Sequence, residues 1–343
     1  MLSLIAACDR SPPKVEPVST AVEHRAAAAA SWLKGQLHVH TNRSGDSQTP
    51  PEEVAAWYKA HGYDFIVLTD HNVIGGLDAE RAPPGMLVLP GVELTTNLRS
   101  CDPAEGTEPC LLHVNALAVG PDAHASGLPV RVDVLREHVF AGEIAAARKF
   151  GGVPQLNHPN FHYSAGAELI ARLAAGGPLL VEFENQTSDS MNEGDADHPS
   201  TQALWDRVLA LGATVYGTAT DDAHHYADAD AVRARGEPAF AGDVGFVMVR
   251  AARTPAAIRD ALGHGEFYAS SGIVLEALDV DDRGLVVRTA APCELACVDA
   301  SAGVVAHTRG RELACRPAAG QILRAIATDD AGHHAWTQAV RAR

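Results

Sequence analysis

The chain has little positive charge, few aromatic side chains and no long apolar run. Only four of its 343 residues are lysine, and 43 acidic residues outweigh 27 basic ones, which gives a formal net charge of −16. Such a chain lacks the basic surface that binds nucleic-acid phosphates, so we expect no specific nucleic-acid partner. No segment approaches the ~20 consecutive apolar residues of a membrane-spanning helix. The composition is that of a folded, acidic protein.

Several common catalytic signatures are also absent. The sequence has no G-x-x-x-x-G-K-[ST] phosphate loop, no G-x-S-x-G nucleophile turn and no dinucleotide-binding glycine pattern. Nucleotide-driven, serine-hydrolase and redox chemistry therefore lack support. No two cysteines have the C-x2-C spacing of a zinc knuckle. Histidine, in contrast, is abundant, with 17 residues, and a functional site is best sought there.

The first residues resemble an export signal. Residues 5–8 read Ile-Ala-Ala-Cys, like a bacterial lipobox, in which the cysteine is lipidated and becomes the mature N-terminus. The Pro- and Ala-rich segment that follows, up to residue 31, is typical of a linker. We predict an exported protein, periplasmic or membrane-anchored, that contacts the membrane only through a lipid on Cys8.

The other cysteines favour an oxidising compartment as well. Cys101 and Cys110 bracket a short loop rich in Pro, Gly and acidic residues, which indicates a disulfide-closed insertion. Cys293, Cys297 and Cys315 lie near the C-terminus and can supply one more bridge. The sequence leaves open which two of the three would pair.

Short apolar runs alternate with helical patterns over most of the chain. Alternation of this kind favours a parallel α/β sheet or barrel, and seven strands favour the barrel. The predicted strands are 36–40, 65–70, 87–94, 111–119, 153–158, 179–184 and 214–220, followed by 244–250. The predicted helices are 51–61, 132–150, 167–175, 201–211 and 255–263.

The pattern changes after Gly272 to closely spaced short strands separated by Asp- and Gly-rich turns. This pattern is typical of a small β-domain, sandwich-like in character. The predicted division of the chain is a signal and linker over 1–31, an α/β barrel over 32–275 and the β-domain over 276–343.

His38 and His40 form an H-x-H pair at the end of the first predicted strand. Residues i and i+2 of a strand point to the same face, ~6.6 Å apart. Their two imidazoles could therefore bind one metal ion. A single pair of this kind is expected by chance in a sequence so rich in histidine, so the pair needs support from other residues.

Similar side chains occur on the other predicted strands, mostly at their ends. Side chains at the C-terminal ends of barrel strands face one crevice, which predicts a shared pocket. Of two adjacent aspartates, Asp222 shares a face with His224 in an extended chain and is the predicted ligand, while Asp221 points away. We expect Asp70 to orient a neighbouring histidine through a hydrogen bond. The groups are Asp70-His71, Glu93, His113, His158 and Asp221-Asp222-Ala223-His224-His225.

The order of these motifs resembles that of the polymerase-and-histidinol-phosphatase (PHP) superfamily of metal-dependent phosphoesterases. The resemblance covers residues 35–275, motif by motif, as H-x-H, D-H, E, H, N-H-P and D-x-H. Residues 57–65, residues 267–272 and the β tail are similar to the carbaryl-hydrolase-like branch. The matched residues are His38, His40, Asp70, His71, Glu93, His113, His158, Asp222 and His224.

This resemblance implies a distorted seven-stranded (β/α) barrel that holds two or three divalent metal ions. The family usually has an acid five residues after the second histidine of H-x-H, and here Asp46 follows at six. Imidazole and carboxylate donors without thiolate suit Mn²⁺, Zn²⁺ or Fe²⁺. The implied ligand sets are His38, His40, Glu93 and Asp222 for one metal, Glu93, His113 and His158 for a second, and Asp46, His71 and His224 for a third.

Metals in such a site would activate a water molecule against a phosphorus or carbonyl centre of a small-molecule substrate. His162 and His225 are the nearest candidates to protonate the leaving oxygen. Arg43 and Arg99 lie in loops after ligand-bearing strands and could bind phosphate oxygens.

Three functions remain open at this point. The superfamily implies hydrolysis of phosphoesters, which is our prediction, and the branch implies hydrolysis of carbamates, esters or amides. The third is a non-catalytic metal-binding surface module, which the complete ligand set disfavours. The scarcity of basic residues near the motifs slightly weakens the case for a phosphoester.

Overall fold

The computed structural model describes residues 30–102, 109–128, 134–187 and 189–342. Cys8 and nearly all of the predicted signal and linker lie outside the described residues. Within the described residues, no helix has the length and apolar character needed to cross a membrane.

The strands are β1 (Ser31–Gln36), β2 (Phe65–Leu68), β3 (Leu87–Pro90), β4 (Val92–Leu98), β5 (Cys110–Leu117), β6 (Val153–Leu156), β7 (Leu179–Asn185), β8 (Val215–Thr220), β9 (Phe246–Ala251), β10 (Phe267–Ser270), β11 (Leu275–Asp281), β12 (Gly284–Asp299), β13 (Gly303–Cys315), β14 (Ile322–Thr328), β15 (His334–Thr337) and β16 (Val340–Arg341). The α-helices are α1 (Pro51–Ala60), α2 (Arg136–Lys149), α3 (Ala167–Ala174), α4 (Thr201–Ala210), α5 (Ala229–Ala234) and α6 (Pro255–His264).

These strands pair into two sheets. One has the order β11-β12-β14-β15-β10-β9-β1-β2-β3, with β13 on β12 and β16 on β14, and the other has the order β4-β5-β6-β7-β8. Strands β1 to β3 are parallel to one another, and so are β6 to β8. Strand β5 runs antiparallel to both of its neighbours. The fold is mixed α/β as predicted, but its paired strands do not close into a ring, so the seven-stranded barrel is not confirmed.

Gly91 breaks one predicted strand into β3 and β4. A Cβ atom at Gly91 would lie 2.6 Å from Val67 Cγ1 and 2.8 Å from the Leu68 carbonyl oxygen. Both distances are too short for a carbon atom, so only glycine fits at this position. The chain then turns from the first sheet into the second. Glu93 follows two residues later and forms an isolated bridge with His71, three residues beyond the end of β2.

Helices cover the outer faces of the strands and fix the strand ends. Trp205 of α4 is buried and stacks on Phe183 of β7, with ring centroids 4.7 Å apart. Tyr58 of α1 is buried against the β2 side. Burial of a large apolar side chain contributes ~1.5–3 kcal/mol, so these contacts hold the strands in register.

The C-terminal strands continue the first sheet. Strand β15 pairs with β10, which places residues after Leu275 in the same sheet as β9 and β1. Some strands there are longer than predicted, because β12 continues through a register shift between Arg288 and Cys293 instead of ending. The division at residue 275 stays a prediction.

Both predicted disulfides are present. Cys101 pairs with Cys110, and the second bridge joins Cys297 to Cys315, which leaves Cys293 as a buried thiol. The first prediction is confirmed, and the pairing that the sequence left open is resolved.

Candidate metal centre

The nine predicted metal ligands lie around one cleft. Their donor atoms form three sets, and within each set all donor atoms lie within 4.8 Å of one another. His40 belongs to two of the sets, so the sets adjoin. They are His40, Asp46, His71 and His224; His38, His40 and Asp222; and Glu93, His113 and His158.

The H-x-H pair follows β1 instead of lying within it, contrary to the strand bounds predicted from the sequence. Val39 between the two histidines forms a bridge with Ala223, and its N–H donates to Thr69 Oγ1 at 2.9 Å. These contacts keep the segment extended, so both imidazoles still share a face. Their Nε2 atoms lie 3.2 and 3.1 Å from Asp222 Oδ1.

Glu93 is at the centre of the cluster. Its Oε1 lies 3.0 Å from His113 Nδ1, 3.4 Å from His38 Nε2 and 3.6 Å from His158 Nε2. Its Oε2 lies 2.7 Å from His71 Nδ1 and 3.4 Å from His40 Nε2. One carboxylate therefore faces five imidazoles, the arrangement expected of an acid shared between metals.

Asp46 completes the most open of the three sets. Its Oδ2 lies 3.0 Å from His71 Nε2 and 3.3 Å from His224 Nε2. The His224 ring stacks on His40, with centroids 4.2 Å apart. The extra residue between H-x-H and the acid therefore does not keep Asp46 from the site.

His113 lies within its strand, as the predicted strand 111–119 implies, and not at a strand end. It lies inside β5, opposite Thr95 of β4. Because β5 runs antiparallel to its neighbours, the middle of this strand reaches the edge where the other strands end. The sequence predicts His113 as a candidate ligand within its strand, but not the antiparallel direction of β5.

Four of the histidines make a hydrogen bond on the side away from the cleft, and a fifth, His71, contacts Thr95 through the same Nδ1 atom that faces Glu93. Such partners select the tautomer of the ring and hold its orientation. Asp70 serves in this way through a hydroxyl, not directly as predicted, because its Oδ1 accepts from Ser44 Oγ at 2.7 Å. The contacts are His38 Nδ1 to Glu182 (2.9 Å), His40 Nδ1 to Ser44 Oγ (3.1 Å), His71 Nδ1 to Thr95 Oγ1 (2.6 Å), His113 Nε2 to Asn97 Oδ1 (2.8 Å) and His224 Nδ1 to the Asp222 carbonyl (2.9 Å).

Two of the candidate ligands have left-handed backbone conformations. The φ angle is 25° at His158 and 50° at Asp222. Such conformations cost ~1–3 kcal/mol each and persist only where the surroundings impose them. Asp222 was selected on the assumption of an extended chain; the choice of residue agrees with the structure, but the assumed geometry is wrong.

Asp221 explains how the unusual turn at Asp222 is held. Its carboxylate accepts hydrogen bonds from the N–H groups of Asp243, Val244 and Gly245 at 2.7–2.8 Å, and from the Tyr58 hydroxyl. Asp221 therefore points away from the metal ligands and fixes the segment that carries Asp222.

The electrostatics of the cluster favour ionised carboxylates but divide the imidazoles in the metal-free protein, because burial lowers the pKa of His40 to about 4 and also lowers that of His113. Burial lowers the pKa of His38, but Asp222, Glu182 and Glu93 outweigh it and raise that pKa well above its usual value. Burial is likewise outweighed at His71, where Glu93 and Asp46 raise the pKa to about 10. Burial raises the pKa of Glu93, yet the histidines around it hold the pKa well below its usual range. A bound metal would displace these protons.

The residues present fit divalent metal ions. Among the described residues, His38 Nε2, His40 Nε2 and His113 Nδ1 are buried without a hydrogen-bond partner. A buried polar atom left in this state costs ~1–3 kcal/mol. All three nitrogens face the carboxylates of the cluster, so ions between them would satisfy these atoms. Six imidazoles and three carboxylates form a donor set suited to Mn²⁺, Zn²⁺ or Fe²⁺.

The sequence analysis missed two parts of the site. Glu182 is fully buried on β7 beside His38, and its only local signal is an acid inside the apolar run Leu-Leu-Val-Glu-Phe. The other missed part is the wall of the cleft, which has a volume of about 170 Å³. Beside the metal ligands it is lined by Phe161, Thr187, Asp189 and Phe240.

The two predicted proton donors lie beside the cleft and do not line it. The ring of His162 is edge-on to Phe161, with centroids 4.9 Å apart. His225 Nδ1 accepts from the Phe240 N–H at 3.2 Å, and burial lowers the pKa of this imidazole. Both catalytic assignments stay predictions. Arg43 donates to the Gly76 carbonyl at 2.9 Å, and neither it nor Arg99 lines the cleft.

Comparison with known proteins adds little. No protein-family model matches this sequence, and no curated protein is similar to it. One solved structure, from Bifidobacterium adolescentis, bears a name that assigns it to the metal-dependent phosphoesterases. It is 15% identical, with a TM-score of 0.39, and the match covers 56% of this chain and 88% of that one. Conclusions about function therefore depend on the residues of the cleft.

Proposed function

We propose that this protein is a metal-dependent hydrolase of phosphoesters that works with two or three divalent ions. The observation that carries the proposal is the Glu93 carboxylate, which faces five imidazoles within 3.6 Å in a cleft open to solvent. Bound ions would supply an acidic water molecule and offset negative charge on the substrate oxygens.

The chain contributes a site that is organised before the substrate arrives. His38 and His113 are held from behind by Glu182 and Asn97, so their remaining nitrogens point into the cleft without reorganisation. Donors fixed in advance stabilise developing charge better than donors that must turn during the reaction. Phe161 and Phe240 line the cleft and would shield the organic part of a substrate from water.

His162 and His225 are the proposed sources of the proton for the leaving oxygen. The test is to replace each histidine in turn by Gln, which cannot transfer a proton at neutral pH. If the replaced histidine is the general acid, turnover of the variant should fall by ~10²–10⁴-fold while the protein keeps its metals. Normal turnover in either variant would remove that histidine from the mechanism.

Hydrolysis of carbamates, esters or amides is the second candidate function. Among the described residues, no lysine or arginine lines the cleft, whereas two phenylalanines do. A phosphomonoester carries up to two negative charges, and protein sites that bind phosphate commonly use arginine. A neutral carbonyl substrate has no need of such cations and fits an apolar wall equally well.

A combined metal and substrate assay separates these functions. We expect the purified protein to contain divalent metal and to hydrolyse p-nitrophenyl phosphate or bis-p-nitrophenyl phosphate faster than a naphthyl carbamate. The reverse order would support the second candidate. Metal without turnover on any of the three would favour a binding module, and the Glu93→Gln variant prepared in parallel controls for contaminating phosphatases.

We also propose that the protein is exported and held at a membrane by a lipid on Cys8. The two disulfides support an oxidising compartment. Cys8→Ser should release the protein from the membrane fraction without a change in its specific activity. An unchanged distribution between fractions would contradict the lipid anchor.

A further inference from the structure

We infer that Glu182 is a positioning residue that couples two of the three metal sets through its single carboxylate. One oxygen holds the ring of His38, and the other holds the main chain of His158. The inference depends on the proposed function only in requiring that the cluster binds metal.

The first oxygen of Glu182 sets the orientation of His38. Oε1 accepts from His38 Nδ1 at 2.9 Å and from the hydroxyl of Thr220. Because Nδ1 donates to Glu182, Nε2 is the ring nitrogen that faces Asp222 Oδ1, at 3.2 Å, and it is the one that would bind a metal once its own proton is displaced. A carboxylate behind an imidazole also makes that imidazole a stronger ligand. Among the outer partners of the five histidines described above, Glu182 is the only carboxylate in direct contact with a ring.

The second oxygen holds a different metal set. Oε2 accepts from the His158 N–H at 2.7 Å and from Asn185 Nδ2 at 3.0 Å. The left-handed turn at His158 directs this N–H toward β7. Asn185 Nδ2 also lies 3.0 Å from Asp222 Oδ2, so the same network reaches a third ligand.

The burial of Glu182 ties its role to the residues around it, because its charge must be offset by them. The side chain is fully buried, and an ionised carboxylate there is expensive unless its partners offset the cost. The partners found are His38, His158, Thr220 and Asn185, two of which are candidate metal ligands. A glutamine of the same size could fill the space but would offer one acceptor in place of two.

Coupling follows from this geometry. His38 belongs to the set with His40 and Asp222, whereas His158 belongs to the set with Glu93 and His113. Because one carboxylate holds both the His38 ring and the His158 main chain, a change in the position of either residue would be transmitted to the other. Loss of the carboxylate should therefore weaken two metals together, not one.

Cobalt titration of chelator-stripped protein tests the inference. We expect Glu182→Gln to weaken two Co²⁺ equivalents by ~10–100-fold and to alter the visible absorption of the bound Co²⁺. Glu184→Gln is the matched control, because Glu184 lies two residues along β7 and its hydrogen bonds, from Gln186 and Asn192, go to one oxygen that Gln retains. Two equivalents bound at wild-type affinity with an unchanged spectrum in Glu182→Gln would overturn the inference.

A second variant and a double-mutant cycle guard against a folding defect. Thr220→Val removes one hydrogen bond to Oε1 and keeps the charge, so it should weaken the same two equivalents by a smaller factor. In a His38→Ala background, Glu182→Gln should lose the part of its effect that acts through His38. Full additivity in that cycle, or wild-type cobalt binding in Thr220→Val, would contradict the coupling. Because the readout is metal binding, the proposed hydrolase function can fail while the inference stands.

Discussion

The site has a buried half and an open half, and the set of His38, His40 and Asp222 adjoins both. The buried half is Glu93, His113 and His158, whose side chains are 1–6% exposed. The open half is Asp46, His71 and His224, whose side chains are 40%, 26% and 13% exposed. The two halves have similar ligand types, so the difference between them lies in where the chain carries those ligands.

Strand positions explain the buried half, and loop positions explain the open half. Glu93 and His113 lie on β4 and β5, where the ladder of backbone hydrogen bonds holds both. Asp46 and His224 lie in segments between regular elements. A metal bound by rigid, buried donors exchanges slowly, whereas one bound partly by a solvent-exposed carboxylate is accessible to chelators and to substrate. We therefore expect the halves to differ in metal retention, which the first two predictions below test, whereas the last two test the electrostatics of the open half and of a buried acid outside both.

We expect the largest effect from Glu93→Gln, because this variant should disable metal binding in both halves and so remove the difference between them. The amide has nearly the same shape, but it carries no charge and bridges cations poorly. We expect metal affinity to fall by more than the ~10–100-fold typical of losing an outer partner, with turnover falling as well. Elemental analysis after gel filtration measures the first effect. Full metal content at near-normal turnover would contradict the central role of Glu93.

Asp46→Asn should affect the open half alone. The variant is expected to lose one metal equivalent and to keep the ions held by Glu93 and His113. In the wild-type protein, the same equivalent should be the first to leave during dialysis against a chelator. Metal content followed over time gives both results, and simultaneous loss of all equivalents would show that the halves do not differ in retention.

The metal-free protein should become less stable as the pH rises. The folded-state pKa of His71 is raised to about 10 by Glu93 and Asp46 against the opposing effect of burial. A raised pKa stabilises the fold fully below the unfolded value of ~6.5, and this contribution is lost as the pH rises through the folded value. Melting temperatures from pH 6 to 10 should therefore decline in the stripped protein. The decline should be smaller in His71→Gln; an equal decline would assign it to other groups.

Glu184→Gln should give the smallest effect. This variant measures how much a buried acid outside both halves changes the stability of the fold. Burial, with Glu193 nearby, raises the pKa of Glu184 to about 7. The folded protein therefore favours the protonated acid, and stability is lost as the pH rises from ~4.5 to 7. The variant should melt about 2 °C higher than wild type at pH 8 and equally at pH 4.5. A lower melting temperature at pH 8 would refute the sign of the shift.

Local patterns in the sequence were sufficient for most of the helices and strands. The predicted helices 51–61 and 201–211 end within one residue of α1 and α4. Ser200 caps α4 by accepting from the Ala203 N–H, and α1 begins with Pro51 and two acids. These signals act within a single turn of chain, so they can be read without knowledge of the fold. Helix α5 was missed because it is short, at six residues.

The set of residues around the candidate metal centre was also predictable from the sequence, because histidine and carboxylate side chains recur on successive predicted strands, mostly at their ends. Their arrangement was not. Whether the strands close depends on pairing between segments far apart, and the break at Gly91 is set by its contacts with Val67 and the Leu68 carbonyl. Glu182, which lies 144 residues from His38 along the chain, determines which ring nitrogen of His38 faces the other candidate ligands. Sequence patterns report forces within a turn or a strand, whereas the orientation of a ligand depends on partners that only the folded chain brings into contact.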